Sequence, residues 1–93
     1  MSRHAKRLTE ILSGVRDQTI RFDDLCATLA RLGFLERRSG GSHRIFHHVR
    51  LPDILNLQPR RDGTAKPYQV RQARELILRY RLMDQANAEA SDE

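Results

Sequence analysis

The side chains in this 93-residue sequence best suited to proton transfer or metal binding near neutral pH are four histidines, His4, His43, His47 and His48, and one cysteine, Cys26. His43 stands apart because it directly follows Ser39-Gly40-Gly41-Ser42, a run that reads as a turn. An imidazole beside a glycine-rich turn is accessible, and backbone N–H groups nearby can receive a phosphate. Such a histidine could take the proton from a ribose 2′-hydroxyl or protonate a leaving oxygen, the two transfers that RNA cleavage without a metal requires. Arg38 and Arg44 flank the turn, and either guanidinium could stabilise charge developing on the phosphorus centre. Lys66, just before Pro67 at the expected start of a helix, could hold a backbone phosphate.

The other candidates carry weaker signals. His47 lies four residues beyond His43, so a strand would put both on one face. The rise of the strand separates them by about 13 Å, too far for a direct pair. His48 points the opposite way, and His4 falls in the chain terminus. Cys26 sits in an apolar helical pattern and reads as a packing residue; as the single cysteine it forms no internal disulfide, which suits a reducing, cytoplasmic setting. The histidines and Cys26 lack the spacing of a zinc site, so no metal is expected. Ser39 to Ser42 is too short for a nucleotide-binding P-loop, and no small-molecule cofactor is expected. Phe46 reads as core, whereas Tyr68 is equally suited to stacking on a base and to packing.

Charge points towards a polyanion. Seventeen Lys and Arg stand against twelve Asp and Glu, a formal +5. Four of the acids, Asp84, Glu89, Asp92 and Glu93, fall in the last ten residues; without that stretch, seventeen basic residues face eight acidic ones, or +9. All the basic residues but Lys6 and Lys66 are arginine, whose fork suits phosphate. The longest apolar runs are a few residues, which excludes a membrane span, and the basic N-terminus lacks the apolar stretch of a secretion signal.

The elements that must position these residues are legible in outline. Leu8, Ile11, Leu12 and Val15 form one stripe of a helix that Gly14 and the polar residues through Thr19 end. Asp23 or Asp24 can cap a second helix burying Leu25, Cys26, Leu29 and Leu32, and Gly33 follows it as a C-terminal signal. Strands are expected at Phe34 to Arg38, His43 to Val49 and Ile54 to Gln58, stopped by Pro59. Pro67 opens a last helix burying Val70, Ala73, Ile77 and Tyr80, with Leu76 at the stripe's edge. Residues 1–83 thus read as a single α+β domain, a three-stranded antiparallel sheet with helices on one face, and 84–93 as an acidic, disordered tail.

Leu29-Ala30-Arg31-Leu32-Gly33-Phe34 followed by Gly41-Ser42-His43-Arg44-Ile45-Phe46 resembles the signature of the HicA toxins. Ile54-Leu55-Asn56-Leu57-Gln58 and Ala65-Lys66-Pro67-Tyr68-Gln69-Val70 are similar to that family's third strand and the start of its closing helix, so the resemblance runs from about Phe22 to Leu82. It implies a fold like the double-stranded-RNA-binding domain, α-β-β-β-α, and a toxin of a type II toxin–antitoxin system. It also implies metal-independent endoribonuclease activity on messenger RNA, silencing by a HicB-type antitoxin, and His43 as the catalytic residue. Gly41, Ser42, Arg38, Arg44, Lys66 and Tyr68 are the expected RNA contacts. The chain departs from compact members in an additional N-terminal helix, about residues 2–14, and in Arg44 where many have a second histidine.

Two alternatives follow from the same residues. A non-catalytic RNA-binding module of this shape would need Arg38, Arg44 and Lys66 but not His43. A helix-turn-helix DNA binder would use the first two helices, against which the three strands and the stop at Gly33 argue.

Overall fold

The computed structural model describes residues 2–38, 41 and 43–83; Ser42 and the expected tail, 84–93, lie outside them. The order is α1 (Arg3–Ser13), α2 (Phe22–Arg31), β1 (Leu35–Arg38), β2 (Arg44–His47), β3 (Ile54–Leu57) and α3 (Pro67–Arg79). From α2 onwards this is the expected α-β-β-β-α arrangement, preceded by the additional helix.

α1 begins where the Ser2 hydroxyl accepts the Ala5 N–H at 3.1 Å, and ends at Gly14, whose φ of 76° is the left-handed conformation glycine adopts without penalty. That stop takes Val15 out of the expected stripe. Leu8 and Ile11 are buried, but Val15 is 83% exposed because the chain has already turned away. His4 lies within α1 and is half-buried.

α2 starts one residue before the expected caps. Phe22 is buried in its first turn, and Arg21 at the cap position makes no side-chain capping bond. The missing acceptor comes from a distant loop, since the Gly63 carbonyl accepts the Phe22 N–H at 3.0 Å. Asp23 and Asp24 fall inside the first turn, where carboxylates favour the positive end of the helix dipole. The far end closes as a Schellman motif: Phe34 N–H bonds to Leu29 O at 3.0 Å and Gly33 N–H to Ala30 O at 3.1 Å, with Gly33 at φ 100°.

The sheet has order β1-β2-β3, antiparallel throughout. Glu36 pairs with Phe46 and Arg38 with Arg44 on one side; Phe46 pairs with Leu55 and Arg44 with Leu57 on the other. Side chains alternate between faces, so Phe46, Leu55 and Leu57 enter the core while Leu35, Arg37, Ile45, His47, Ile54 and Asn56 share the opposite, open face. Leu25 and Leu29 of α2 and Val70, Ala73 and Ile77 of α3 complete the core with no exposed surface. Each such leucine contributes roughly 1.5–3 kcal/mol. Leu76 is buried as well, whereas Tyr80 caps the end of α3 and is only half-buried.

α1 packs on α2 and α3. Arg74 of α3 holds it there, donating to the Ile11 carbonyl at 3.1 Å and gripping both oxygens of Asp17 at 2.9 and 3.1 Å. The bond to Asp17 raises the proton affinity of this guanidinium, and Arg7 adds an ion pair to Asp24 of α2. The sheet's second face remains uncovered, with Ile54 66% and Leu35 54% exposed.

Candidate active site

His43 immediately precedes β2 and is exposed on the open face. Its Nδ1 lies 3.0 Å from Oδ1 of Asn56 in β3. With the amide oxygen towards the ring, Nδ1–H donates, and a neutral imidazole then presents an unprotonated Nε2. A base fixed in tautomer and orientation is what proton abstraction needs.

Asn56 is itself held in place. β3 is an edge strand, and Gln69 of α3 covers that edge as another strand would. Gln69 Nε2 donates to the Asn56 carbonyl, and Gln69 Oε1 accepts from the Gln58 N–H, both at 3.1 Å. The Gln69 side chain is buried, and its Nε2 also reaches the Tyr68 hydroxyl oxygen at 3.3 Å. Lys66 Nζ donates to Gln58 Oε1 at 3.4 Å. His43, Asn56, Gln58, Lys66, Gln69 and Tyr68 therefore line one seam between the sheet and the start of α3, with Tyr68 53% exposed. Gly41 has φ 64° and open space around it.

Arg44 does not share that seam. It neighbours His43 in sequence and therefore faces the other side of the strand. There it forks onto Glu36, with Nε 2.6 Å from one carboxylate oxygen and Nη2 on the other. Its guanidinium lies 5.6 Å from the centre of the Phe22 ring and 5.8 Å from that of Phe46. The bonds to Glu36 raise its proton affinity and fix it as part of the helix-covered face. Arg38 pairs with Arg44 in the ladder, so its register position belongs to that same face. The exposed arginine on His43's face is Arg37, opposite Ile45.

His47 shares the open face with His43, half-buried between Leu35 and Ile54. His48 is a structural residue: buried, its Nε2–H donates to the Leu32 carbonyl and its Nδ1 accepts the Arg50 N–H, both at 3.1 Å. Its ring meets Phe34 edge-on at 5.1 Å. Burial pushes the Cys26 thiol up to about 12, which leaves it an inert packing group. Among the described residues, no group of three or more His, Cys, Asp or Glu side chains is placed to hold a metal ion.

Sequence reasoning missed Asn56, Gln69 and Arg37. Strand parity was the available signal for Arg37: once Phe46 is core, Ile45 and its partners across the sheet face out. The roles of Asn56 and Gln69 depend on how β3 meets α3, which no local pattern shows.

Residues 22–85, from α2 to just past α3, match the family model described as HicA toxin of bacterial toxin-antitoxin systems. The chain belongs to the HicA toxin family. It is thus a toxin of a toxin–antitoxin system, and an antitoxin partner comes with that membership. Neither the curated proteins nor the solved structures gave a match to this chain. The HicA match begins at Phe22, so α1 lies outside it. No described helix is long and apolar enough to cross a membrane.

Proposed function

We propose that this HicA-family toxin is a metal-independent endoribonuclease acting on messenger RNA in the cytoplasm, with His43 as its general base. The observation that carries this reading is the bond from His43 Nδ1 to Asn56 Oδ1, which leaves Nε2 as the ring's proton acceptor on the uncovered face of the sheet. Nε2 takes the 2′-hydroxyl proton as the 2′-oxygen bonds to phosphorus, and the bond from phosphorus to the 5′-oxygen breaks. The proton gained by the ring is then available to the departing 5′-oxygen. Arg37, on the same face, and Lys66, at the head of α3, are the cations we assign to the phosphates; Gly41 and Ser42 supply backbone N–H groups, and Tyr68 a ring for stacking. Arg44 holds the opposite side of the sheet and has a structural role in this reading.

The partner we propose is a HicB-type antitoxin that occludes His43. The open face offers it the Arg37 cation together with exposed Leu35 and Ile54.

The test is cleavage of a labelled RNA by antitoxin-free protein in EDTA, comparing wild type with His43→Ala. The variant should cut about 10²-fold more slowly or worse, the usual scale of lost acid–base assistance. Equal cleavage by both proteins would remove His43 from the chemistry. If both bind RNA and neither cuts it, the protein is a binding module.

A further inference from the structure

Two loops come together beyond the His43 end of the sheet, and their arginines have no part in the site described above. Residues 14–21 join α1 to α2, and residues 58–66 join β3 to α3. Ala65 N–H bonds to Ile20 O at 2.8 Å, and Arg21 pairs with Thr64, so the loops form a small ladder. Arginine side chains stitch them further. Arg60 Nη2 donates to Gln18 O at 2.7 Å and Arg60 Nε to Thr64 Oγ1 at 2.9 Å; Arg21 Nη1 donates to Asp62 O at 3.4 Å. Arg16 and Arg61 stand exposed on the same two loops.

The electrostatics are one-sided. The hydrogen-bond partners of Arg21 and Arg60 are carbonyl and hydroxyl oxygens. No carboxylate of the described residues pairs with any of the four arginines. Asp17 is gripped by Arg74. Asp62 is turned back into its own loop, accepting from the Thr64 N–H at 3.0 Å and the Thr64 hydroxyl at 2.5 Å. The bonds from Thr64, with a smaller contribution from the charge of Arg60, hold its carboxyl below the usual range. Other acids lie nearby: Asp23 is exposed in the first turn of α2, and Glu10 and Asp24 line a small pocket with Arg7 and Arg21.

Topology sets this cluster beside the active site. His43 precedes β2, whose first residue pairs with Leu57 at the end of β3, and the chain runs from there through Gln58 and Pro59 to Arg60. Three residues of extended chain, from Gln58 to Arg61, span at most about 10 Å. We infer that Arg16, Arg21, Arg60 and Arg61 form a phosphate-binding extension of the His43 site, gripping the backbone of a single RNA strand beyond the phosphate that is cut. This rests on the RNA reading proposed above. Arg21 and Arg60 are pre-ordered by their bonds to the loops, while Arg16 and Arg61 supply mobile charge at the rim.

The experiment measures binding of a 2′-O-methyl RNA 12-mer, which lacks the attacking hydroxyl, across a salt series. Wild type is compared with Arg16→Gln/Arg61→Gln and with Arg31→Gln/Arg79→Gln, an equal charge change at the C-terminal ends of α2 and α3. All four positions are exposed, and matched thermal midpoints confirm folding. The loop pair should weaken binding and flatten the slope of log affinity against log salt by about 1.4, two phosphate contacts on a single strand. The Arg31/Arg79 pair should leave that slope near the wild-type value. Equal slopes for the loop pair and wild type, or equal losses in the two pairs, would overturn the inference. Cleavage by wild type and His43→Ala separates the two ideas. RNA that is cut with no loop dependence keeps the ribonuclease and removes the extension; loop-dependent binding without cleavage does the reverse.

Discussion

Gln69→Leu is a sharp perturbation because it keeps the side chain's bulk and removes only its polar atoms. Leucine fills the buried site in α3 but accepts nothing from the Gln58 N–H and donates nothing to the Asn56 carbonyl. Two backbone groups on the edge of β3 lose their partners, at about 1–3 kcal/mol each if no water replaces them. Both are part-buried, so water recovers some of that cost, and burial of the apolar side chain recovers more. A net loss of about 2–3 kcal/mol remains. For a domain of this size it lowers the thermal midpoint by roughly 10–20 °C. Urea unfolding gives the free energy, and amide exchange at Gln58 reports the strand edge directly. A loss below about 0.5 kcal/mol with undiminished protection at Gln58 would refute the idea that Gln69 serves as β3's missing neighbour.

Three further outcomes follow. Asn56→Ala frees the His43 ring at a solvent-exposed hydrogen bond, so the rate of RNA cleavage should fall about 2–10-fold with stability nearly unchanged; an unaltered rate would show that the ring needs no anchor. Arg44→Met removes the guanidinium fork from the Glu36 carboxylate and should cost about 1–2 kcal/mol, discounted for the solvent that both groups still meet. Cleavage per folded molecule should stay within about threefold in that variant, and a loss on the scale of His43→Ala would return Arg44 to the site. Cys26 has its folded-state pKa raised to about 12 by burial, while the unfolded thiol ionises near 9.0. The unfolded state therefore releases its proton first, and stability should decline as pH rises from about 9 towards 12. Urea titrations across that range should show a shallower decline in Cys26→Ala; an identical slope would remove the thiol as its source.

Local signals in the sequence located the elements well because each was written in short-range chemistry. The stripe Leu8–Ile11, the stop at Gly33 and Pro67 at the head of α3 are patterns within one turn of helix. What failed depended on partners far along the chain. The cap of α2 is a carbonyl from Gly63, and no reading of Asp23 and Asp24 reveals it. Arg44 flanks the same turn as His43, yet neighbours in a strand face opposite sides, and the ladder that pairs Arg44 with Leu57 puts it on the core face. Asn56 carried no local mark at all. It matters because antiparallel pairing brings β3 alongside His43, thirteen positions away.

The docking of α1 has a consequence for how such a chain behaves in solution. Cut at Phe22, where the family match begins, the protein would lose Leu8 and Ile11 from the layer outside α2 and α3. Arg74 would at the same time lose Asp17 and the Ile11 carbonyl that now occupy it. The bared strip would be apolar, with an unsatisfied guanidinium beside it, the kind of surface that drives copies to clump during expression. α1 thus acts as a permanent lid on the back of the molecule. Solubility is secured there, and the sheet face is left bare for its partners.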